Sequence, residues 1–214
     1  MKILCLSASN IEPFKDLSVS TRTCEMISEM VQARQTDAEV RILPLIDYEI
    51  KPCRMCGKCL EAGDCVRDEA FNAVYVALKE ADRIFIVCPQ YATIPSKLVM
   101  LLEKFQEIAY LNWCAYNSYM FPLANKRVGL IVHGGQTEDA LPVYKANLLA
   151  PLASIIRSVG MHVVGVDEDW QDGAAFGITS LVKPDDSIFV KIEHDWGMIH
   201  GRVEPLVEKV LSIK

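Results

Sequence analysis

The run Arg83-Ile84-Phe85-Ile86-Val87-Cys88, stopped by Pro89, decides the fold. Uninterrupted apolar residues without polar alternation read as a strand buried on both faces, because a half-exposed strand alternates. Two comparable runs flank it: Lys2 to Ser7, ending in small polar residues, and Arg127 to His133, broken by Gly134-Gly135. Glu39 to Leu43 and Met161 to Val166 read as two further strands. Between them, apolar residues recur at helical spacing: Cys24, Ile27 and Val31; Phe71, Val74 and Leu78; Leu98, Leu101, Leu102 and Phe105; Leu141, Tyr144, Leu148, Leu152 and Ile155. Ser18 or Ser20 caps the first helix, Asp68 the second, and Pro95 suits the first turn of the third. Pro151 must kink or divide the fourth. Leu111 to Pro122 is aromatic and irregular, and Glu204 to Leu211 reads as a closing helix. This order predicts an α/β chain with a doubly wound, five-stranded parallel sheet covered on both faces.

The 214 residues suit one domain, 1–214. Just over half are hydrophobic (51%) and 23% are charged, so a large core is available. A net charge of −6 without a basic cluster argues against a nucleic-acid partner. The apolar start, Met1 to Ser7, is too short for a signal peptide, and no run reaches the ~18 apolar residues of a membrane span. A soluble cytoplasmic protein with no membrane partner is expected. Eight cysteines in such a chain favour reduced thiols, metal or redox chemistry over a disulfide framework.

Four of those cysteines fall within thirteen residues, Cys53-Arg-Met-Cys56-Gly-Lys-Cys59-Leu-Glu-Ala-Gly-Asp-Cys65. Thiolates two residues apart converge only if the backbone curls, and Gly57 and Gly63 ease the turns. Three thiolates in quick succession and a fourth after five residues favour an iron–sulfur cubane over zinc, whose sites typically use two separated pairs. Cluster-free thiols and zinc stay open as alternatives. Cys5, Cys24 and Cys88 lie on apolar faces and read as small core residues; Cys114 is unassigned.

Ligands of doubly wound sheets bind beyond the carboxyl ends of the strands. Three loops leave those ends. The first carries Ser7, Ser9, Asn10, Ser18, Ser20, Thr21 and Thr23, with Ser20 and Thr21 where a helix begins. Helix N–H groups favour an anion there, and a phosphate is the natural occupant; capping alone is the alternative. The chain has neither G-x-G-x-x-G nor a Walker A run, so no dinucleotide or ATP loop is indicated. The second loop, Pro89-Gln90-Tyr91-Ala92-Thr93, offers backbone amides and an aromatic to a flat heteroaromatic ring. The third, His133-Gly134-Gly135-Gln136-Thr137, permits close backbone approach and places an amide side chain at a polar ring edge. His133 reads equally as structural.

These loops and the cysteines together resemble the flavodoxin-like NAD(P)H-dependent FMN reductase superfamily, specifically its iron–sulfur flavoprotein branch. The resemblance spans about Met1 to Val166. It rests on Ser20-Thr21-Arg22, Cys53 to Asp68, Pro89-Gln90-Tyr91 with Ser96-Lys97-Leu98, and Gly134-Gly135-Gln136. It implies a flavodoxin-like fold with a cysteine-rich excursion after the second strand (53–65). It also implies FMN at the sheet edge, held through Ser9, Ser20, Thr21, Pro89, Gln90, Tyr91, Ala92, Thr93, Gly134, Gly135 and Gln136. Cys53, Cys56, Cys59 and Cys65 would hold a [4Fe–4S] cluster near the flavin. The implied function is electron transfer between a reduced donor, NAD(P)H among them, and a small acceptor or redox protein, in a homodimer or homotetramer. No side chain need act as general acid or base. The alternatives are a cluster-free NAD(P)H:FMN or quinone reductase and a non-redox binding module with zinc at the cysteines. The chain departs from the family after the first strand, where Ser7-Ala-Ser-Asn10 stands in place of Gly-Ser-Pro-Arg and an insertion, Ile11 to Val19, follows. It departs again in an extended C-terminal segment, 167–202, expected to be an insertion or lid.

Overall fold

A computed structural model describes residues 1–11, 18–116, 118–183, 185–186 and 191–212. Most of the insertion expected between Ile11 and Val19 lies outside them. The central sheet has the order β2 (Glu39–Pro44), β1 (Lys2–Ser7), β3 (Arg83–Pro89), β4 (Arg127–Thr137), β5 (His162–Val164), all parallel. β6 (Ala174–Ile178) also pairs with β4 in parallel. Its partners begin at Ile131, whereas β5 pairs with Arg127 to Gly129. The fifth position of the sheet is therefore filled by two short strands end to end.

The pleat sends alternate side chains to opposite faces. Ile3, Cys5, Phe85, Val87 and Ile131 pack with α1 (Val19–Arg34) and α7 (Trp196–Ser212). Leu4, Leu6, Ile84, Ile86, Cys88, Leu130 and Val132 pack with α3 (Glu69–Glu80), α4 (Ser96–Ala115) and α6 (Ala150–Ser158). Both faces are thus covered, and the near-absence of polar residues in β1, β3 and β4 follows from it.

Several elements differ from expectation. β4 continues through Gly134-Gly135 to Thr137, because β6 supplies partners there across a register shift between His133 and Thr137. α4 reaches Ala115, so Leu111 to Ala115 is helical; its exposed aromatics had masked the helical period. α7 begins at Trp196, eight residues before Glu204, and carries Pro205 inside it. Its ring opposes the carbonyl of Gly201, four residues back. Pro151 falls in the first turn of α6, and the segment before it, Lys145–Leu149, is a π-turn following α5 (Leu141–Tyr144). The wider turn absorbs the hydrogen bond that proline cannot make.

The run 167–202 is not one appendage. Ala174–Ile178 is buried in the sheet. Gly173, at φ +138°, lets the chain enter it, since a Cβ there would lie 2.1 Å from the Leu130 carbonyl oxygen. Outside the sheet, β7 (Ser180–Val182) and β8 (Lys191–Glu193) pair antiparallel. Among the described residues no helix is long and apolar enough to cross a membrane.

Candidate functional site at the carboxyl edge and the cysteine loop

The strand order reverses between β1 and β3, since β1 connects outward to β2 and the chain then returns to β3. Loops leaving β1 and β3 diverge there and open a crevice at the carboxyl edge. Ala8 N–H donates to the Val87 carbonyl (2.9 Å) and Gln90 N–H to the His133 carbonyl (2.7 Å), so all three predicted loops start from one backbone frame.

Ser18 caps α1: its Oγ accepts from Thr21 N–H (3.1 Å) and donates to Thr21 Oγ1 (2.8 Å). Thr21 Oγ1 also lies 3.0 Å from Ser7 Oγ. Ser20 Oγ is 2.8 Å from His133 Nε2. Burial, and next the nearby His194, push the pKa of His133 down to about 3, so the ring is neutral. It stacks on Phe176, centroids 5.1 Å apart. The hydroxyls of Ser20 and Thr21 are thus engaged with protein groups, and what the helix start offers an anion is its N–H groups, which lack partners within the helix. No acidic residue lies in that first turn.

Tyr91 reaches over the first loop. Its Oη accepts from Asn10 N–H (3.1 Å) and sits 3.3 Å from Ser9 Oγ. Asn10 Nδ2 donates to Ser96 Oγ (3.4 Å), but Asn10 Oδ1 is buried with no partner among the described residues. A buried acceptor of that kind calls for a donor from a ligand or solvent. Pro89 is buried and Gln90 half-buried, while Tyr91, Ala92 and Thr93 are exposed beside it. In the third loop the two glycines divide their roles. A Cβ on Gly134 would lie 2.6 Å from Tyr144 Oη, whereas one on Gly135 would meet nothing within 4 Å. Tyr144 is buried and clamps Gln136, accepting from its N–H (2.8 Å) and donating to its carbonyl (3.2 Å). The Gln136 side chain is left exposed at the edge.

The cysteine loop leaves the sheet after β2. Cys53, Cys56, Cys59 and Cys65 are all free and line one cavity of about 380 Å³. The curl that gathers them uses positive φ at Met55 (47°), Gly57 (71°) and Gly63 (71°). Lys51, Arg54, Arg67 and Lys104 also line the cavity. The Lys58 N–H lowers the pKa of Cys56 against desolvation, with the Arg67 guanidinium adding to the lowering; burial raises that of Cys59. Among the described residues no three His, Cys, Asp or Glu side chains are placed to hold a metal ion.

A frame outside the thiols fixes both ends of this loop. Asp68 caps α3 by accepting from Phe71 N–H (3.0 Å), accepts from Lys51 N–H (2.8 Å), and pairs with Lys104 of α4. Lys104 also donates to the Lys51 carbonyl (2.6 Å). Desolvation opposes the ionised Asp68, but these donors prevail and its pKa is lowered. Asn72 grips Cys65 at both backbone groups, each at 2.9 Å.

The sequence reading had named Asp68 only as a cap and had missed Lys104, Asn72 and Tyr144. A lysine within the apolar stripe Leu101, Leu102, Phe105, Ile108 was the available signal, since a buried ammonium requires a partner. Tyr144 in the stripe of its own helix was a comparable one.

Residues 1–168 match the family model described as NADPH-dependent FMN reductase. An iron-sulfur flavoprotein from Methanosarcina thermophila is 26% identical over 126 residues, 58% of this chain and 64% of that protein. One from Archaeoglobus fulgidus is 42% identical over 67 residues, 31% of this chain and 32% of that protein. The chain thus spans less than two thirds of the length of these curated relatives. Among solved structures, RosB with a bound 8-demethyl-8-formylriboflavin-5'-phosphate intermediate aligns with a TM-score of 0.58 at 16% identity, covering 99% of this chain and 76% of RosB, a likeness of fold. With the family model covering over three quarters of its length and the strand order 2-1-3-4-5, this chain belongs to the NADPH-dependent FMN reductase family.

Proposed function

We propose that the chain is an FMN-dependent oxidoreductase of the iron–sulfur flavoprotein kind. In this reading it moves electrons from a reduced donor, NAD(P)H among them, to a small acceptor or redox protein. The residues at the carboxyl edge fit FMN. The α1 N-terminus offers uncapped N–H groups to a phosphate, Asn10 Oδ1 lacks a donor among the described residues, and Gly135 leaves room for a ring beside Gln136. Bound there, FMN would supply the exchange between two-electron and one-electron chemistry. The chain's part is to hold it through Ser9, the Ser20 backbone, Pro89 to Thr93, and Gly134 to Gln136, with Thr21, whose N–H is given to Ser18, fixing the helix start beneath the phosphate.

One observation carries the finer reading: four free thiols share one cavity with Lys51, Arg54, Arg67 and Lys104, which outnumber the carboxylates Asp68 and Glu107 there. Four thiolates around a [4Fe–4S] core leave a net negative charge, which such a fence stabilises. A cluster also places its own irons and sulfides between the thiolates, so it asks for wider spacing than a single ion does. Homodimeric or homotetrameric assembly and a cytoplasmic location belong to the same proposal.

The second reading is a cluster-free NAD(P)H:FMN or quinone reductase, favoured by the lack of a group placed for a metal ion among the described residues. Anaerobic purification with FMN, iron and acid-labile sulfide analysis decides between them. About four irons and four sulfides per FMN are expected. Retained FMN with less than one iron establishes the second reading, and failure to bind FMN overturns both.

A further inference from the structure

A groove of about 870 Å³ borders the cysteine cavity and shares Cys53 and Glu107 with it. One wall is the α4 face carrying Glu103, Glu107, Tyr110 and Trp113, which recur at i, i+4, i+7 and i+10. The core-facing stripe of the same helix, Leu101, Leu102, Phe105 and Ile108, points elsewhere. The opposite wall is Tyr119 to Phe121, and the end of α6 closes one side. Met55, Trp113 and Met120 are 77%, 63% and 67% exposed around the opening. Soluble proteins seldom turn so many large apolar groups outward together without a ligand to meet them.

The charge of the lining narrows the ligand. Glu103 and Glu107 line the groove, and among the described residues no Lys, Arg or His does. The adjoining cysteine cavity sets Lys51, Arg54, Arg67 and Lys104 against Asp68 and the shared Glu107, whereas the groove carries carboxylates without described cations. Aromatic faces and thioethers attract a flat cation through quadrupole and dispersion terms, and the carboxylates supply the counter-charge. An anion would meet two carboxylates, and a neutral molecule would desolvate them without return. The volume lies in the range of small-molecule sites, ~300–1,000 Å³. None of the lining residues belongs to the loops at 7–23, 89–97 or 133–137.

We propose that this groove is a second small-molecule site, separate from the carboxyl edge, that binds a planar aromatic cation of the N-alkylpyridinium class. The proposal concerns binding alone and does not depend on what the thiols hold.

Methyl viologen, a planar dication, is the probe. It is titrated calorimetrically, without reductant, into the FMN-loaded full chain, with tryptophan quenching as a second readout. One saturable site is expected. Trp113→Ala should weaken it about 5–10-fold through loss of the cation–π face, and Glu103→Gln with Glu107→Gln about 10-fold or more through loss of both counter-charges. Neutral 4,4′-bipyridine at pH 8 should bind at least about 10-fold more weakly, for the same lost attraction. These positions are at the surface, so unchanged FMN content and melting temperature certify the fold of each variant. Equal affinity in the variants, or for the neutral analogue, overturns the proposal. So does displacement of the probe by free FMN in the flavin-depleted chain, which would place it at the carboxyl edge. A stable dimer that Trp113→Ala dissociates, with no probe binding, overturns it in favour of a second copy as the occupant.

Discussion

Replacing Lys104 by methionine should destabilise the chain out of proportion to the loss of one surface-like charge. Lys104 and Asp68 are each 3% exposed, and among the described residues the ammonium is the one charged donor to Asp68, the others being the Lys51 and Phe71 amides. Methionine matches the lysine stem in volume, so little packing is lost. What remains is a buried carboxylate without its counter-ion, which costs about 3–5 kcal/mol, a large share of a total stability of about 5–15 kcal/mol. Asp68→Asn alone keeps the cap, because asparagine caps as well as aspartate, but it leaves the lysine unpaired. The double variant removes both charges, and its loss should fall short of the sum of the single losses by about 1–3 kcal/mol. The pH dependence has a definite sign. Asp68 has a folded pKa below its ordinary 3.8, so its contribution is complete above that value and is lost as pH falls through the lowered one. In Lys104→Met, desolvation prevails and the carboxyl protonates more readily, so the deficit should shrink between pH 7 and about pH 4. Urea denaturation of the FMN-loaded protein, followed by circular dichroism at both pH values, measures this. A loss under about 1 kcal/mol, the size of a surface pair, or an additive cycle refutes the picture of a coupled buried clasp.

Two further outcomes follow from the carboxyl edge. Gly134→Ala should lower stability by about 1–3 kcal/mol and loosen the third loop, because its Cβ meets the clamped Tyr144 ring, while Gly135→Ala should be near neutral; equal melting temperatures for the two would contradict this. His133, pushed down to about 3 by burial and by His194, contributes stability that is complete above about pH 6.5 and fades as pH falls toward 3. His133→Gln should flatten the acid limb of a stability–pH curve over that window, and an unchanged limb would mean that the ring is not the titrating group.

The strands that were plain in the sequence are those for which burial on both faces left no choice of residue. Ile84 to Cys88 faces α-helices on either side, so its pattern holds no polar position to misread. β6 obeys the same rule, yet Ala174-Ala-Phe-Gly-Ile178 was read as part of an insertion. Its small residues fit beside β4, where a Cβ on Gly177 would meet the Gln136 carbonyl oxygen at 2.8 Å. Small residues chosen for close approach carry little hydrophobic signal. The pairing of Ser20 with His133 spans 113 positions and left no local mark; only the fold brings them together.

The cysteine loop shows where sequence and structure divide the work. The spacing of the thiols, and glycine at two of the positive-φ positions, are local and legible. The frame is not local: Lys104 lies 36 residues beyond Asp68 and 53 beyond Lys51, and joins both flanks of the loop from another helix. Asn72 then sets the backbone of the last cysteine from α3. None of these contacts uses a thiol. The loop's flanks are therefore held by capping, a buried ion pair and an amide clasp, while the thiols make only local contacts such as Met55 N–H to Cys53 Sγ (3.5 Å). In a small zinc domain the ligands themselves close the fold, and metal binding is folding free energy. Here the core of two helix-covered sheet faces exists without them. On the proposed iron–sulfur reading that separation would suit electron transfer, since groups preorganised by a rigid surround need not rearrange when the charge between them changes.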